Sequence, residues 1–371
     1  MFNFNNKNVL ILSPEDWGEN LLSKHLYAQE LSKNNNVFFL HTAPHSSQKK
    51  FLVCRSINKK ITLIHIRRVA KGVIKLPPFL VDIQNYFLIK KIIKKTKLPQ
   101  IDLVWSFDQS KFQNLKQFNA PLTIFNPVDF IESARPFLNR IANSADITLS
   151  VSQLILNQIE TTTPKHFINH GLDEIFVTKS KNDVIPKFID SHKINVAYVG
   201  NLQMKFIDWK NLIKTVEENA ELNFIFIGPD KKSNIGGKKM FKQIEEIKAL
   251  PNAYFTGVMS KKELNLSFPF FDAFLLCYDD KKYPIQVSNS HKILEYLSAG
   301  KVVLSNTVAT YEDTSLIEMV GDNNLLSARL GEIAIDIKKY NNTEKQLKRI
   351  NYAVNNSYFK QLERVEKILN L

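Results

Sequence analysis

The chain has 371 residues, 44% hydrophobic and 23% charged, with 50 Lys and Arg against 36 Asp and Glu and a formal charge of +14. That length exceeds one ordinary core and predicts two domains of a soluble globular protein. No apolar run approaches ~20 residues and residues 1–8 are polar, which excludes a membrane span and a signal peptide and predicts a cytoplasmic protein; two cysteines, Cys54 and Cys277, exclude a disulfide framework and read as small core residues.

Residues 9–12 read as a strand, followed by a polar loop and a helix with Leu21, Leu22, His25, Leu26 and Leu31 at helical spacing. A second strand follows at 37–40. This is a βαβ opening, and its first loop leaves a strand's carboxyl end, where open α/β sheets bind ligands. Asp16, Trp17 and Gly18 are therefore placed to touch a substrate. The loop has one glycine where a dinucleotide fingerprint needs three. Runs at 51–54 and 61–66 read as a hairpin insertion.

Residues 79–97 read as a basic amphipathic helix. Its apolar face draws on Phe79, Leu80, Tyr86, Phe87, Leu88, Ile89, Ile92 and Ile93, flanked by Lys90, Lys91, Lys94 and Lys95. Such a helix either lies on an anionic membrane surface or is a domain helix with solvated lysines. Charge is also dense at Arg67-Arg68 and Lys238-Lys239. No recognition helix, zinc spacing or aromatic RNP-like strand accompanies it, so nucleic acid is not an expected partner. Buried-type strands follow at 103–106, 122–125 and 147–151. Pro127 ends the second of these, and Asp129 sits just past its carboxyl end, again on the ligand edge.

Residues 176–192 are polar and aperiodic and read as a linker. A second α/β domain opens with a strand at 196–199 and Gly200-Asn201. Asp208-Trp209 then start a helix, and strands are expected at 224–227, 254–258 and 273–277. Ser288 or Ser290 is expected to cap a helix carrying Ile293, Leu294 and Leu297, which Gly300 stops before a buried strand at 302–304. Lys292 and Glu295 stand three apart, so one face presents both to the same ligand, and a helix start attracts phosphate.

The stretch Ser-Asn-Ser-His-Lys-Ile-Leu-Glu-Tyr-Leu-Ser-Ala-Gly-Lys-Val-Val from residue 288 resembles the donor-site helix of nucleotide-sugar glycosyltransferases of the two-domain GT-B type, of the bacterial group 1-like kind. Ala145-Asp146 with Ser150-Val151-Ser152, and the segment 167–173, resemble further family segments. The ordered series over about residues 194–305 is similar to the family's second domain.

The resemblance implies an α/β GT-B fold, two Rossmann-like domains facing each other across a cleft. Its parts would be residues 1–175 for the acceptor, the 176–192 linker, 193–355 for the donor, and a terminal helix at 356–371 crossing back. It implies Lys292 on the diphosphate, Glu295 on the ribose hydroxyls, Gly200 and Asn201 in the diphosphate turn, Val258 beside the base, and Ser288 and Asn289 at the helix start. Lys205 is either a displaced diphosphate cation or an exposed loop lysine. Where many retaining members carry a second Glu, this chain has Val287.

Transfer from a nucleotide sugar needs stabilisation of the departing diphosphate and, for inversion, a base for the acceptor hydroxyl. Lysine and helix N–H groups do the first without metal. No Asp-x-Asp motif appears, and His25, His65, His166, His170 and His291 show no metal spacing, so neither a metal nor another cofactor is expected. Asp129 is the first choice for the base and Asp16 the second, and either can instead cap a helix. The expected activity is transfer of a sugar from a UDP- or GDP-sugar to a polysaccharide, lipid-linked or glycan acceptor. The alternatives are a sugar-nucleotide epimerase on the same fold and a non-catalytic basic protein that anchors at membrane or nucleic acid.

Overall fold

A computed structural model describes residues 3–18, 21–43, 50–67, 76–178, 184–230 and 238–370. Arg68 and residues 179–183 of the expected linker lie outside this set, as do the side chains of Lys238 and Lys239. The chain divides into two compact units, Met1–Asn169 with Tyr358–Leu371, and His170–Ser357.

The first unit runs β1 (Asn8–Ser13), α1 (Ser23–Ser32), β2 (Asn36–Ala43), β3 (Leu52–Ser56), β4 (Ile61–Arg67), α2 (Pro78–Thr96), β5 (Leu103–Ser106), β6 (Leu122–Phe125), α3 (Arg135–Ser144), β7 (Ile147–Ser150), α4 (Gln153–Leu156) and β8 (Lys165–Phe167). Its sheet has the order β3-β4-β2-β1-β5-β6-β7-β8. Every pairing is parallel except β3 with β4. The central strands β5 and β7 are buried throughout, as continuous apolar runs in a parallel sheet require.

The expected hairpin insertion is a continuation of this sheet. Ile61–Arg67 pairs in parallel with β2 over seven residues, and only β3 folds back on it as an edge strand. Cys54 stands on that edge and is exposed, which corrects its reading as a core residue; Cys277 is buried. The order reverses at β1, with β2 on one side and β5 on the other, so a switch point lies at the carboxyl ends of β1 and β5. The terminal helix Tyr358–Leu369 packs Tyr358, Leu362 and Val365 into this unit's core, with Tyr358 edge-on to Tyr27 at 4.8 Å.

Helix α2 does not bury the face its composition suggests. Val81, Asn85, Ile89 and Ile92 point inward, at spacings of four, four and three. Phe79, Leu80, Ile83, Tyr86, Phe87 and Ile93 are exposed, Phe79 and Phe87 by more than 60% (63% and 65%). Asn85 earns its buried place by donating to the Lys111 carbonyl at 2.8 Å, which pins the helix in this rotation.

The second unit runs α5 (Glu174–Val177), β9 (Asn195–Val199), α6 (Trp209–Glu218), β10 (Asn223–Ile227), α7 (Lys238–Lys248), β11 (Ala253–Gly257), α8 (Lys261–Ser267), β12 (Ala273–Leu275), α9 (His291–Ser298), β13 (Val302–Asn306), β14 (Glu318–Val320), α10 (Leu326–Ile335), α11 (Ile337–Tyr340) and α12 (Thr343–Val354). Its sheet is parallel throughout, in the order β11-β10-β9-β12-β13-β14. The switch point falls between β9 and β12. Among the described residues no helix is long and apolar enough to cross a membrane.

Candidate functional site

In the second unit, the carboxyl ends of β9, β10 and β11 are built from bare backbone. Gly200 follows β9 and donates to the Ile227 carbonyl at 2.8 Å, and Gly228 donates to the Gly257 carbonyl at 2.8 Å. Gly228 has φ of +144°, and a Cβ there would sit 1.9 Å from the Gly200 carbonyl oxygen, so only glycine fits.

Lys292 lies directly over this turn. A Cβ on Gly200 would stand 2.7 Å from Lys292 Cε and 3.5 Å from its Nζ, so the lysine stem occupies the space that a side chain would take. One residue fixes this approach. Tyr296, one turn further along α9, donates from its hydroxyl to the Val199 carbonyl and accepts from the Val199 amide, both at 3.0 Å. Tyr296 is fully buried and stacks on Phe274 at 4.3 Å. Helix α9 is thus bolted to the end of β9, and Lys292 is delivered over Gly200 as a consequence.

Of the two serines expected to cap the helix, Ser290 holds the N-cap position. Its side chain makes no cap bond, and the Ser288 hydroxyl donates to the Ile285 carbonyl. Gly300, with φ of +78°, ends the helix segment as expected, and the buried Arg349 donates to its carbonyl at 3.1 Å.

Glu295 is half-buried on the same helix. Desolvation holds its carboxyl above the ordinary range, against the pull of Lys261 and Lys292. Lys261 begins α8, whose start is closed by a Ser260–Glu263 capping box, and pairs with Asp173 at 2.7 Å. His170 is buried and hydrogen-bonds the Asn289 backbone, and burial pushes its pKa down to about 4. A neutral imidazole therefore holds the segment before α9. Asp173, Lys261 and His170 belong to this cluster, and spacing did not single them out. The one signal was the histidine inside the segment that closes the first domain.

The remaining expected donor residues lie along the same sheet edge. Asn201 is exposed and turns its side-chain oxygen to the Gln203 amide at 2.9 Å. Val258 is 67% exposed, just past Gly257 with φ of +72°. Exposed Lys205 stands over the rings of Phe206 at 5.3 Å and Tyr283 at 5.6 Å. Val287 is a core residue.

At the first unit's switch point the loop after β1 is held from behind. His25 accepts from the Leu22 amide at Nδ1 and donates from Nε2 to the Asp16 carbonyl at 3.0 Å. That pairing fixes its tautomer, and burial lowers its pKa to about 4. Trp17 packs edge-on against His25 and Phe39, while Gly18 is exposed. The Asp16 carboxylate faces outward and meets His41 Nε2 at 3.0 Å. Asp129 is exposed; its backbone carbonyl accepts from Gln109, and among the described residues no ion pair or hydrogen bond fixes its carboxylate. Close by in sequence, Asn126 is buried with neither amide atom paired among the described residues, a feature that sequence reasoning missed.

No family model matches this sequence, and no curated protein matches it. Solved structures do match along the whole chain. A trehalose-6-phosphate protein from E. coli bound with UDP-2-fluoro glucose is 11% identical, with 98% of each chain covered and a TM-score of 0.72. Alr3699/HepE of Anabaena, in complex with UDP and glucose, is 14% identical over 98% of this chain and 100% of its own, with a TM-score of 0.69. Sucrose-phosphate synthase from Thermosynechococcus elongatus is 12% identical, with 98% of each chain covered and a TM-score of 0.68. Together with the two parallel-sheet units, these matches show that the chain has the two-domain, Rossmann-like fold of the GT-B glycosyltransferases.

Proposed function

We propose that this chain is a glycosyltransferase that takes its sugar from a nucleoside-diphosphate sugar held by the second unit. The observation that carries the reading is Lys292 laid over the side-chain-free turn at Gly200, with α9 locked to β9 through Tyr296. A turn without side chains lets a diphosphate approach the backbone, and the ammonium and the helix start meet its charge. Glu295, three residues along, is the ribose ligand; its partial desolvation strengthens hydrogen bonds to neutral hydroxyls. Gly200, Asn201, Ser288 and Asn289 complete the diphosphate side, and Val258 lines the base.

Departure of the diphosphate is stabilised by Lys292 and helix N–H groups, with no metal in that step. Uridine is the first choice of base, because the structural neighbours include proteins described with UDP compounds. Asp129, exposed at a strand's carboxyl end, is the proposed base for the acceptor hydroxyl, with Asp16 second. The acceptor is a glycan or lipid-linked sugar of a surface polysaccharide pathway. The exposed Phe79, Ile83 and Phe87 beside Lys90, Lys91, Lys94 and Lys95 support a peripheral position on an anionic membrane.

Thermal-shift titration with UDP, GDP, ADP and CMP, with and without Mg²⁺, tests the donor assignment. One nucleotide should stabilise the protein without metal, and Glu295→Ala should weaken it by about 1–3 kcal/mol. Equal binding by the variant would remove Glu295 from the site.

A further inference from the structure

The first sheet gathers a set of metal-ligating atoms that the transfer reaction does not explain. Parallel pairing sets Ser13 of β1 beside His41 of β2, and His41 beside His65 of β4. Ser13, His41 and His65 therefore share one row near the strands' carboxyl ends, and Asp16 returns over that row from the loop after β1. His41 Nε2 lies 3.0 Å from Asp16 Oδ1 and 2.5 Å from His65 Nδ1, and His65 Nδ1 lies 3.9 Å from the same oxygen.

Protons alone serve this triangle poorly. Nε2 of His41 carries at most one hydrogen, which goes to Asp16 or to His65 but not to both. In the tautomers that place hydrogen on His41 Nδ1 and His65 Nε2, both facing nitrogens turn lone pairs to one point beside a carboxylate oxygen. A single cation satisfies all three atoms at once.

The dimensions agree. Ligands about 2.0–2.2 Å from one tetrahedral ion stand roughly 3.3–3.6 Å apart, and the three observed edges bracket that range. Two imidazole nitrogens with one carboxylate suit Zn²⁺ and its neighbours, whereas Mg²⁺ and Ca²⁺ favour all-oxygen sets. Exposure is graded across the set: the His41 side chain is buried, that of His65 is 21% exposed and that of Asp16 is 59% exposed. One side is thus left open for ion entry and a fourth ligand. The His25 bond to the Asp16 carbonyl supports the ligand loop from behind.

We propose that Asp16, His41 and His65 form a three-ligand binding site for one Zn²⁺-class divalent ion, with an open fourth position. The ion ties the β1 loop to β2 and β4, and it makes Asp16 a ligand rather than a base. This inference stands apart from the donor side in the second unit and leaves Asp129 as the proposed base.

The test uses the full-length protein, stripped with chelator and titrated with ZnCl₂ and CoCl₂. Zinc content is read by mass spectrometry and coordination by the visible bands of Co²⁺. The expected result is about one ion per chain with four-coordinate Co²⁺ bands. Asp16→Asn and His65→Gln should each lower affinity by more than the roughly 10–100-fold that loss of an outer-shell partner costs, while His166→Gln binds as the parent does. Asp16 is exposed, so its variant keeps the test decisive where a histidine variant misfolds. No uptake by the parent, or equal uptake by both ligand variants, would overturn the proposal.

Discussion

The two units share one architecture and finish it in opposite ways. At the carboxyl edge of the second sheet the chain removes side chains: Gly200, Gly228 and Gly257 leave bare backbone, and Lys292 comes in from a helix above. Near the carboxyl edge of the first sheet it supplies them: Asp16 and Trp17 beyond β1 and His41 and His65 on β2 and β4 crowd one row. A polyanion needs backbone amides and a mobile cation, so glycines serve it. Deprotonating a hydroxyl or holding an ion needs directed lone pairs, so imidazoles and carboxylates serve that. On the proposed assignments, the same switch-point geometry would serve two chemistries, chosen by what stands at the strand ends.

The largest expected effect comes from replacing the proposed base in the first unit. Asp129→Asn should cut turnover by about 10²–10⁴-fold while nucleotide affinity stays near the parent value. Steady-state rates beside a binding isotherm check this. Full activity, or loss of folding, would take the chemistry away from Asp129.

Next in size is a pH effect to which the second unit contributes through His170. His170 has its pKa lowered to about 4 by burial, whereas the unfolded chain takes up that proton near pH 6.5. The unfolded state then binds more protons between those values, so stability falls as pH drops from 6.5 towards 4, by up to about 1.4 kcal/mol per unit, and is level again below. Urea unfolding across that window should show the slope, and His170→Gln should lose one proton's share of it. An unchanged slope would place the imidazole in solvent.

The smallest effect concerns α2. Phe79→Ser with Phe87→Ser should weaken binding to anionic vesicles about tenfold, on the order of 1.4 kcal/mol, with the fold intact. Co-sedimentation reads it, and equal binding would leave the exposed ring face without a membrane role.

The helix and stop of the proposed donor edge were legible from sequence because their signals are local. Lys292, Glu295 and Gly300 sit within one helix and its stop, and α9 covers His291–Ser298 close to the expected span. Helix α2 was found within a residue, Pro78–Thr96 against 79–97, but its rotation was not. Apolar residues surround it nearly evenly, and the buried stripe includes Asn85, whose place depends on the Lys111 carbonyl of a distant loop.

The row of Asp16, His41 and His65 was illegible for a different reason. Spacings of 25 and 24 residues match no ligand motif, and the three meet only through the parallel register of β1, β2 and β4. Cys54 was misplaced because an apolar run on an edge strand looks like one in a sheet centre.

The most direct test of the account is calorimetric titration of UDP into the parent protein and Lys292→Ala at matched ionic strength. If Lys292 over Gly200 receives the diphosphate, the variant loses a charge-assisted contact of about 1.5–3 kcal/mol, roughly a 10–100-fold weaker Kd, with folding unchanged. Equal affinity in the two proteins would contradict the assignment of that edge to a nucleotide diphosphate.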